Sequence, residues 1–320
     1  DHADLPVVAA LVGPRQLVDD LLRGASLAEQ REPVRAVAWV RVRLRRDPAR
    51  AWLRPRHDRS DREELRLRRD APLGLNAHAQ WWSQQAWGVW SDLLGSVRTG
   101  QSTREREHGH KGFDHLDADA ESARLFHRSM AELTRLVAAD LATSPALPDS
   151  GVVMDLGGGH GELLAEVLRA RPALHGVLLD QASASSEATP VLERAGVAAR
   201  CRITAGDFFK AVPEGGDLYL LKSVLHNWDD GRCRVILRHC AQAMGPDGRL
   251  VVIERVVPEA PGRSSHHRST ARTDMNMAVS LAGRERRLDE YAQLLAEVGL
   301  ALTHVRETAA EWSLLEARRG

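Results

Sequence analysis

The chain has few cysteines, no net charge and no long apolar run, and each shortage removes a class of function. Its three cysteines, Cys201, Cys233 and Cys240, stand at spacings that match neither a disulfide framework nor a zinc motif. Cys233 and Cys240 would share one helix face, where small buried thiols are the ordinary reading; a reducing cytoplasm is the expected compartment. Its 44 basic side chains balance 44 acidic ones, so the whole chain has no pull towards nucleic acid or an anionic membrane. No stretch approaches the ~18 apolar residues that a spanning helix needs, and no signal peptide is visible. Of 320 residues, 43% are hydrophobic and 28% charged, which leaves an ordinary globular composition with core enough for a large domain and a smaller one.

The zero average hides one local excess. Residues 31–72 hold 14 arginines against 7 acids, with little apolar periodicity. A nucleic-acid patch would interleave aromatics, and only Trp39 and Trp52 fall there, so a solvated segment is favoured. Chain-breaking residues from Ser144 to Gly151 mark a boundary, placing one domain at 1–148 and another at 149–320. Before it, Leu17, Leu21 and Leu22 suggest a helix. Trp82, Ala86, Trp90, Leu93, Leu94 and Val97 form a helical stripe, and Leu125, Phe126, Met130, Leu133, Leu136, Val137 and Leu141 form another. Tryptophans 81, 82, 87 and 90 are candidates for a pocket wall, a dimer interface or simple core.

Beyond the boundary, strands and helices alternate. Strands are expected at 152–156, 175–180, 199–204, 217–221, 249–254, 302–306 and 313–317, with helices at 162–169, 231–244 and 288–298. This pattern implies an α/β doubly wound, mostly parallel sheet, with an antiparallel edge where the last two strands follow through a short connection.

Such a sheet binds nucleotide-like cofactors at the carboxyl ends of its strands. The first strand runs into Asp155-Leu-Gly157-Gly-Gly159-His-Gly161 and then a helix, and glycines permit close approach of a ligand to the backbone. A dinucleotide fingerprint starting at Gly157 would need glycine at 162, where the chain has Glu162. A neutral loop beside an acid instead suits the cationic amino-acid end of S-adenosylmethionine. Asp180 ends the second strand, where a carboxylate can accept both ribose hydroxyls, and Asp207 follows the third, facing an adenine amino group that Phe208 can cover. Each acid alone is more often a cap or a solvated turn; three at consecutive strand ends make a site.

The next strand leads into Lys222-Ser-Val-Leu-His226-Asn-Trp-Asp-Asp230, which puts a histidine on the cofactor side of the sheet. With Asp-Leu-Gly-Gly-Gly-His-Gly, Leu-Leu-Asp180, Gly-Asp-Phe-Phe, Val-Val-Ile-Glu254 and Asp274-Met-Asn-Met…Gly-Arg-Glu-Arg286, the chain resembles the small-molecule O-methyltransferase family. That family includes plant caffeic acid O-methyltransferases and bacterial enzymes tailoring aromatic polyketides. The resemblance implies a Rossmann-like methyltransferase sheet with a mainly helical N-terminal dimerisation domain. It implies S-adenosylmethionine as donor, S-adenosylhomocysteine as product and an aromatic small-molecule acceptor. It assigns His226 as general base with Glu254 and Glu285 orienting it. Cofactor contacts map to Gly157, Asp180, Asp207, Phe208 and Lys222, and Asp155 and Gly159 join them from the loop itself. The acceptor segment runs from Asp274 through Asn276 and Met277, with Asn227 beside the base where the family has aspartate. No metal is implied, and neither nucleic acid nor membrane is an expected partner; a cytoplasmic homodimer is. Two alternatives stay open: methyl transfer to carbon or nitrogen on the same scaffold, and a non-catalytic relative binding nucleic acid or a partner. The winged-helix pattern of the family's N-terminal domain does not show in residues 31–72.

Overall fold

A computed structural model describes residues 73–109, 112–117 and 119–320. The arginine-rich segment and the helix expected at Leu17–Leu22 lie outside them. Residues 72–320 form one compact unit. It begins with short helices: α1 (Asn76–Trp81), a π-helical turn (Trp82–Ala86), α2 (Trp87–Trp90), α3 (Leu93–Thr99), α4 (Thr103–His108) and α5 (Asp114–Asp117). The long α6 (Ala120–Ala142) then leads into the sheet. After it come β1 (Gly151–Leu156), α7 (Glu162–Ala170), β2 (Leu174–Asp180), α8 (Ala188–Arg194), β3 (Cys201–Ala205), β4 (Leu218–Lys222) and α9 (Asp230–Ala243). The chain ends with β5 (Arg249–Glu254), β6 (Val256–Val257), α10 (Ser265–Leu281), β7 (Arg286–Arg287), α11 (Leu288–Ala296), β8 (Leu300–Glu307) and β9 (Ser313–Arg319).

The seven-stranded sheet has the order β3-β2-β1-β4-β5-β9-β8. The first five strands pair in parallel, while β9 runs antiparallel to β5 and to the edge strand β8. The expected doubly wound sheet with an antiparallel edge is therefore present. The order reverses between β1 and β4, and at such a switch point the connections diverge and leave a crevice. Side chains alternate along each strand, so both faces are apolar and both are covered. Val153, Leu220 and Ile253 pack under α6 and α7. Tyr219, Leu221 and Val252 pack under α9 and α11, where Cys233 and Cys240 are buried as expected. By the same alternation Asp155, Lys222 and Arg255 emerge on the α6 side, and Glu254 emerges on the α9 side.

One helix differs from its sequence reading. The stripe of 82, 86, 90, 93, 94 and 97 implied one continuous helix with six inward residues. Instead the π turn at 82–86 advances the register, and Asp92 caps a new helix by accepting the Gly95 N–H. Trp81, Ala86, Val89, Trp90 and Leu93 face inward as a result, whereas Leu94 and Val97 are 44% and 71% exposed. A π turn adds one residue per turn, so a count at 3.6 per turn runs off the buried face.

Candidate active site

The glycine loop is built on the end of β1. The Gly157 N–H donates to the Leu179 carbonyl, and the Gly159 N–H donates to Asp180 Oδ2 at 2.7 Å. Gly159 has φ +57° and a Cβ there would meet nothing within 4 Å, so the loop's outer surface is open backbone. Asp180 Oδ1 accepts from the Gln181 N–H at 2.7 Å, which holds the carboxylate at the end of β2. Asp207 is held by the Phe209 N–H at 2.9 Å, and the Phe208 ring lies against Gly157. Gly157, Gly159, Asp180 and Phe208 are thus brought to one crevice at the carboxyl ends of β1 to β3, with Asp207 beside them.

Asp155 is placed differently from the others. It is 1% exposed, beneath Gly158, and its Oδ2 has no hydrogen-bond partner. Burial, with the charge of Asp180, pushes its carboxyl up to about 7. Lys222 ends β4, where burial brings its ammonium down to about 8 against the opposing pull of Glu254 and Asp155. The residues fit S-adenosylmethionine. An orphaned buried carboxylate oxygen and a second carboxylate favour a cationic ligand, and the open glycine backbone admits it.

Across the switch point stands the histidine. A 3₁₀ turn, Leu225–Asn227, follows β4 and carries His226. Its Nδ1 lies 3.0 Å from Glu285 Oε1 and 3.4 Å from Glu254 Oε2. Both glutamates are buried, Glu254 completely. Glu254 Oε1 also accepts the backbone N–H groups of Leu225 and His226, at 2.9 and 3.3 Å, so one carboxylate fixes both the turn and the ring it carries. Burial works to lower the histidine pKa, but the charges of Glu254 and Glu285 outweigh it and the net direction is upward. Burial raises the Glu254 carboxyl, with the histidine opposing. A ring whose Nδ1 sits between two carboxylates carries its proton there when neutral, which leaves the lone pair on Nε2.

The three donor atoms lie within 4.8 Å of one another, a spacing that a divalent ion could also use. The 3.0 Å hydrogen bond from Nδ1 to Glu285 Oε1, and the two N–H groups already on Glu254 Oε1, match an oriented imidazole more closely. Glu285 gains its position from both sides: its N–H donates to Asp274 Oδ1 at 2.9 Å. Among the other acceptor-segment residues, Asn276 Oδ1 accepts from Trp90 Nε1 at 3.0 Å, and Met277 is buried. Asn227 turns inward, its side-chain amide donating to the Ser223 carbonyl at 3.0 Å. Of the four tryptophans, Trp81 and Trp90 are core, Trp82 is half-buried and Trp87 is exposed.

Sequence reasoning passed over a brace around His226. Arg286 is fully buried and donates to the carbonyls of Leu225 (3.0 Å) and Trp228 (2.7 Å) and to Asp230 Oδ1. The Arg284 N–H donates to the His226 carbonyl at 2.9 Å. Gly283 packs so tightly that a Cβ would fall 2.1 Å from that same carbonyl oxygen. The segment 283–287 therefore supplies Glu285 and grips the histidine turn on either side of it.

This fold and this crevice define an S-adenosylmethionine-dependent methyltransferase. Residues 90–301 match the O-methyltransferase domain family. Phenazine O-methyltransferase from Lysobacter antibioticus is 36% identical over 252 residues, covering 79% of this chain and 73% of that protein. The solved structure of mitomycin 7-O-methyltransferase has a TM-score of 0.74 at 34% identity, covering 80% of this chain and 74% of that one. A further relative, aclacinomycin 10-hydroxylase from Streptomyces purpurascens, is 33% identical over 236 residues, with 71% and 62% covered. The chain belongs to the O-methyltransferase domain family and is an S-adenosylmethionine-dependent O-methyltransferase.

Proposed function

We propose that the chain methylates a phenolic hydroxyl of an aromatic natural product, with His226 as the general base. The observation that carries this is the histidine Nδ1 held between two buried carboxylates, at 3.0 and 3.4 Å. When bound, S-adenosylmethionine supplies an electrophilic methyl group on a sulfonium. The protein's part is to place an acceptor oxygen and remove its proton. An ordinary phenol has a pKa near ~10 and a free histidine ~6.5, so full prior proton transfer would cost about 5 kcal/mol. The carboxylates raise the histidine pKa and so narrow that gap, and transfer concerted with attack reduces it further. His226 takes the proton on Nε2, and the imidazolium that results is stabilised by Glu254 and Glu285. Asp274 keeps Glu285 in place, and the Trp90–Asn276 contact ties the helical wall to the acceptor segment.

The phenazine named for one relative supports an aromatic ring as substrate. The test is incubation with methyl-labelled S-adenosylmethionine and a panel of mono-, bi- and polycyclic phenols, with and without a chelator, and products located by mass spectrometry. Labelled aryl methyl ether, formed equally with chelator present, is expected. Cofactor binding without ether formation on any phenol would move the reading to a nitrogen or carbon acceptor. Loss of activity with chelator would move the histidine and glutamates from proton transfer to metal binding.

A further inference from the structure

The helical wall contains a second polar cavity, of about 260 Å³, bounded by the π turn, α2 and α4. Gln84 and Gln85 line one side, Gly88 and Val89 another, and Arg104 closes it with Glu107 alongside. Arg104 is 8% exposed, and its Nε has no hydrogen-bond partner. Its guanidinium lies over the Trp81 ring, 5.9 Å from the centroid. The neighbouring Arg106 differs, being paired with Asp92 at 2.5 Å. A guanidinium offers five N–H donors in a planar fork, and burying one beside an open cavity is unfavourable unless an acceptor fills it. We propose that this cavity binds a small monocarboxylate, received by the fork of Arg104.

Three features select that class. The fork matches a carboxylate bidentately. A monocarboxylate brings one negative charge to the single guanidinium, which sets it above a phosphate. Val89 gives the carboxylate's carbon skeleton an apolar surface, and Gln84 and Gln85 add polar groups at the side. The cavity is separate from the methyl-transfer crevice. Between Arg104 and the histidine turn run the rings of Trp81, Phe126, Phe113 and Trp228, in successive contact at 5.1, 5.8 and 6.2 Å between centroids. The proposal stands whether or not the acceptor is a phenol.

Calorimetric titration of the full chain with benzoate tests it, with acetate and inorganic phosphate as further probes. Two variants accompany the wild type. Arg104→Met removes the fork. Gly88→Leu keeps the charge and fills the opening, since a Cβ at Gly88 meets nothing within 4 Å. Saturable benzoate binding, weakened about tenfold or more in both variants while S-adenosylmethionine affinity stays within about twofold, is expected. Should Arg104→Met lose S-adenosylmethionine binding and so show a broken fold, Gly88→Leu alone decides. Benzoate affinity unchanged in Gly88→Leu, no saturable carboxylate binding to the wild type, or phosphate binding more tightly than both carboxylates would overturn the proposal.

Discussion

The carboxyl edge of the sheet and the helical wall above it are organised by different means. At the edge, functional groups are placed by backbone. Asp180 and Glu254 are the last residues of β2 and β5, and His226 follows β4 by four residues. Their distances are set by strand register and by N–H groups donated to the carboxylates themselves. On the wall, backbone N–H groups of Ala77 and His78 anchor α1 to Glu132 of α6, but the tie to the acceptor segment is a side-chain contact. One indole N–H on Asn276 joins α2 to α10, and a π turn decides which tryptophans face inward. A group held by backbone geometry tolerates little change, while one held by side-chain contact can be altered with smaller loss. Substitutions at the two places should therefore differ in size and in kind.

The largest effect belongs to the edge. His226→Ala should lower kcat on a phenol about a hundredfold or more, with S-adenosylmethionine affinity unchanged within about twofold. Equal turnover in the variant would remove the base from the account. Next is Glu285→Gln. One of the two carboxylates that raise the histidine pKa is then lost, so the acid limb of the pH–kcat profile should move to lower pH as kcat falls. A limb that stays in place, or moves upward, would show that Glu285 does not act on the histidine.

Arg286→Lys keeps the charge but cannot reach the Leu225 and Trp228 carbonyls together with Asp230. Leaving a buried carbonyl unpaired costs about 1–3 kcal/mol, to be read from urea unfolding, and kcat should fall with it as the turn loosens. Stability lost with kcat unchanged would make the brace a matter of folding only. Asp155→Asn should act in the opposite sense. The native Asp155 carboxyl titrates at about 7 against 3.8 for the ordinary group, so stability declines as pH rises through that window. Relief of that burial is worth up to about 4 kcal/mol, so the ligand-free variant should gain most at pH 8 and far less at pH 5. The smallest effect belongs to the wall. Trp90→Phe loses one hydrogen bond of about 1 kcal/mol, and the acceptor KM should rise a few-fold with kcat nearly constant. A wall substitution that cost as much as His226→Ala would erase the contrast between the two regions.

Legibility followed the same division. The sheet could be read because short apolar runs alternate with helical stripes, and β5 spans the very residues, 249–254, that the pattern marked. The proposed trio of His226, Glu254 and Glu285 came from the resemblance, and its members, each in a motif at a strand end or just before a helix, lie together in the structure. Asp155 could be seen as part of the loop, but that its side chain lies beneath Gly158 depends on strand parity and packing. Asn227 was expected beside the base among the acceptor residues; that its amide also bonds the Ser223 carbonyl within the histidine turn depends on local backbone geometry, which the sequence does not display. Arg286 stood in a motif, but its bracing role went unread since its partners include backbone carbonyls, which carry no mark in a sequence. The π turn left none either, since nothing in Trp-Ser-Gln-Gln-Ala distinguishes it from an ordinary helix.

The claim that His226 removes a proton from the acceptor is tested most directly by comparing two phenols. Wild type and His226→Ala would be assayed with labelled S-adenosylmethionine on one accepted phenol of ordinary acidity and on a ring-nitrated analogue already ionised at the assay pH. A loss of about a hundredfold or more is expected for the ordinary phenol and a much smaller loss for the nitrated one, which needs no base. Equal losses on both would mean that His226 positions the acceptor without deprotonating it.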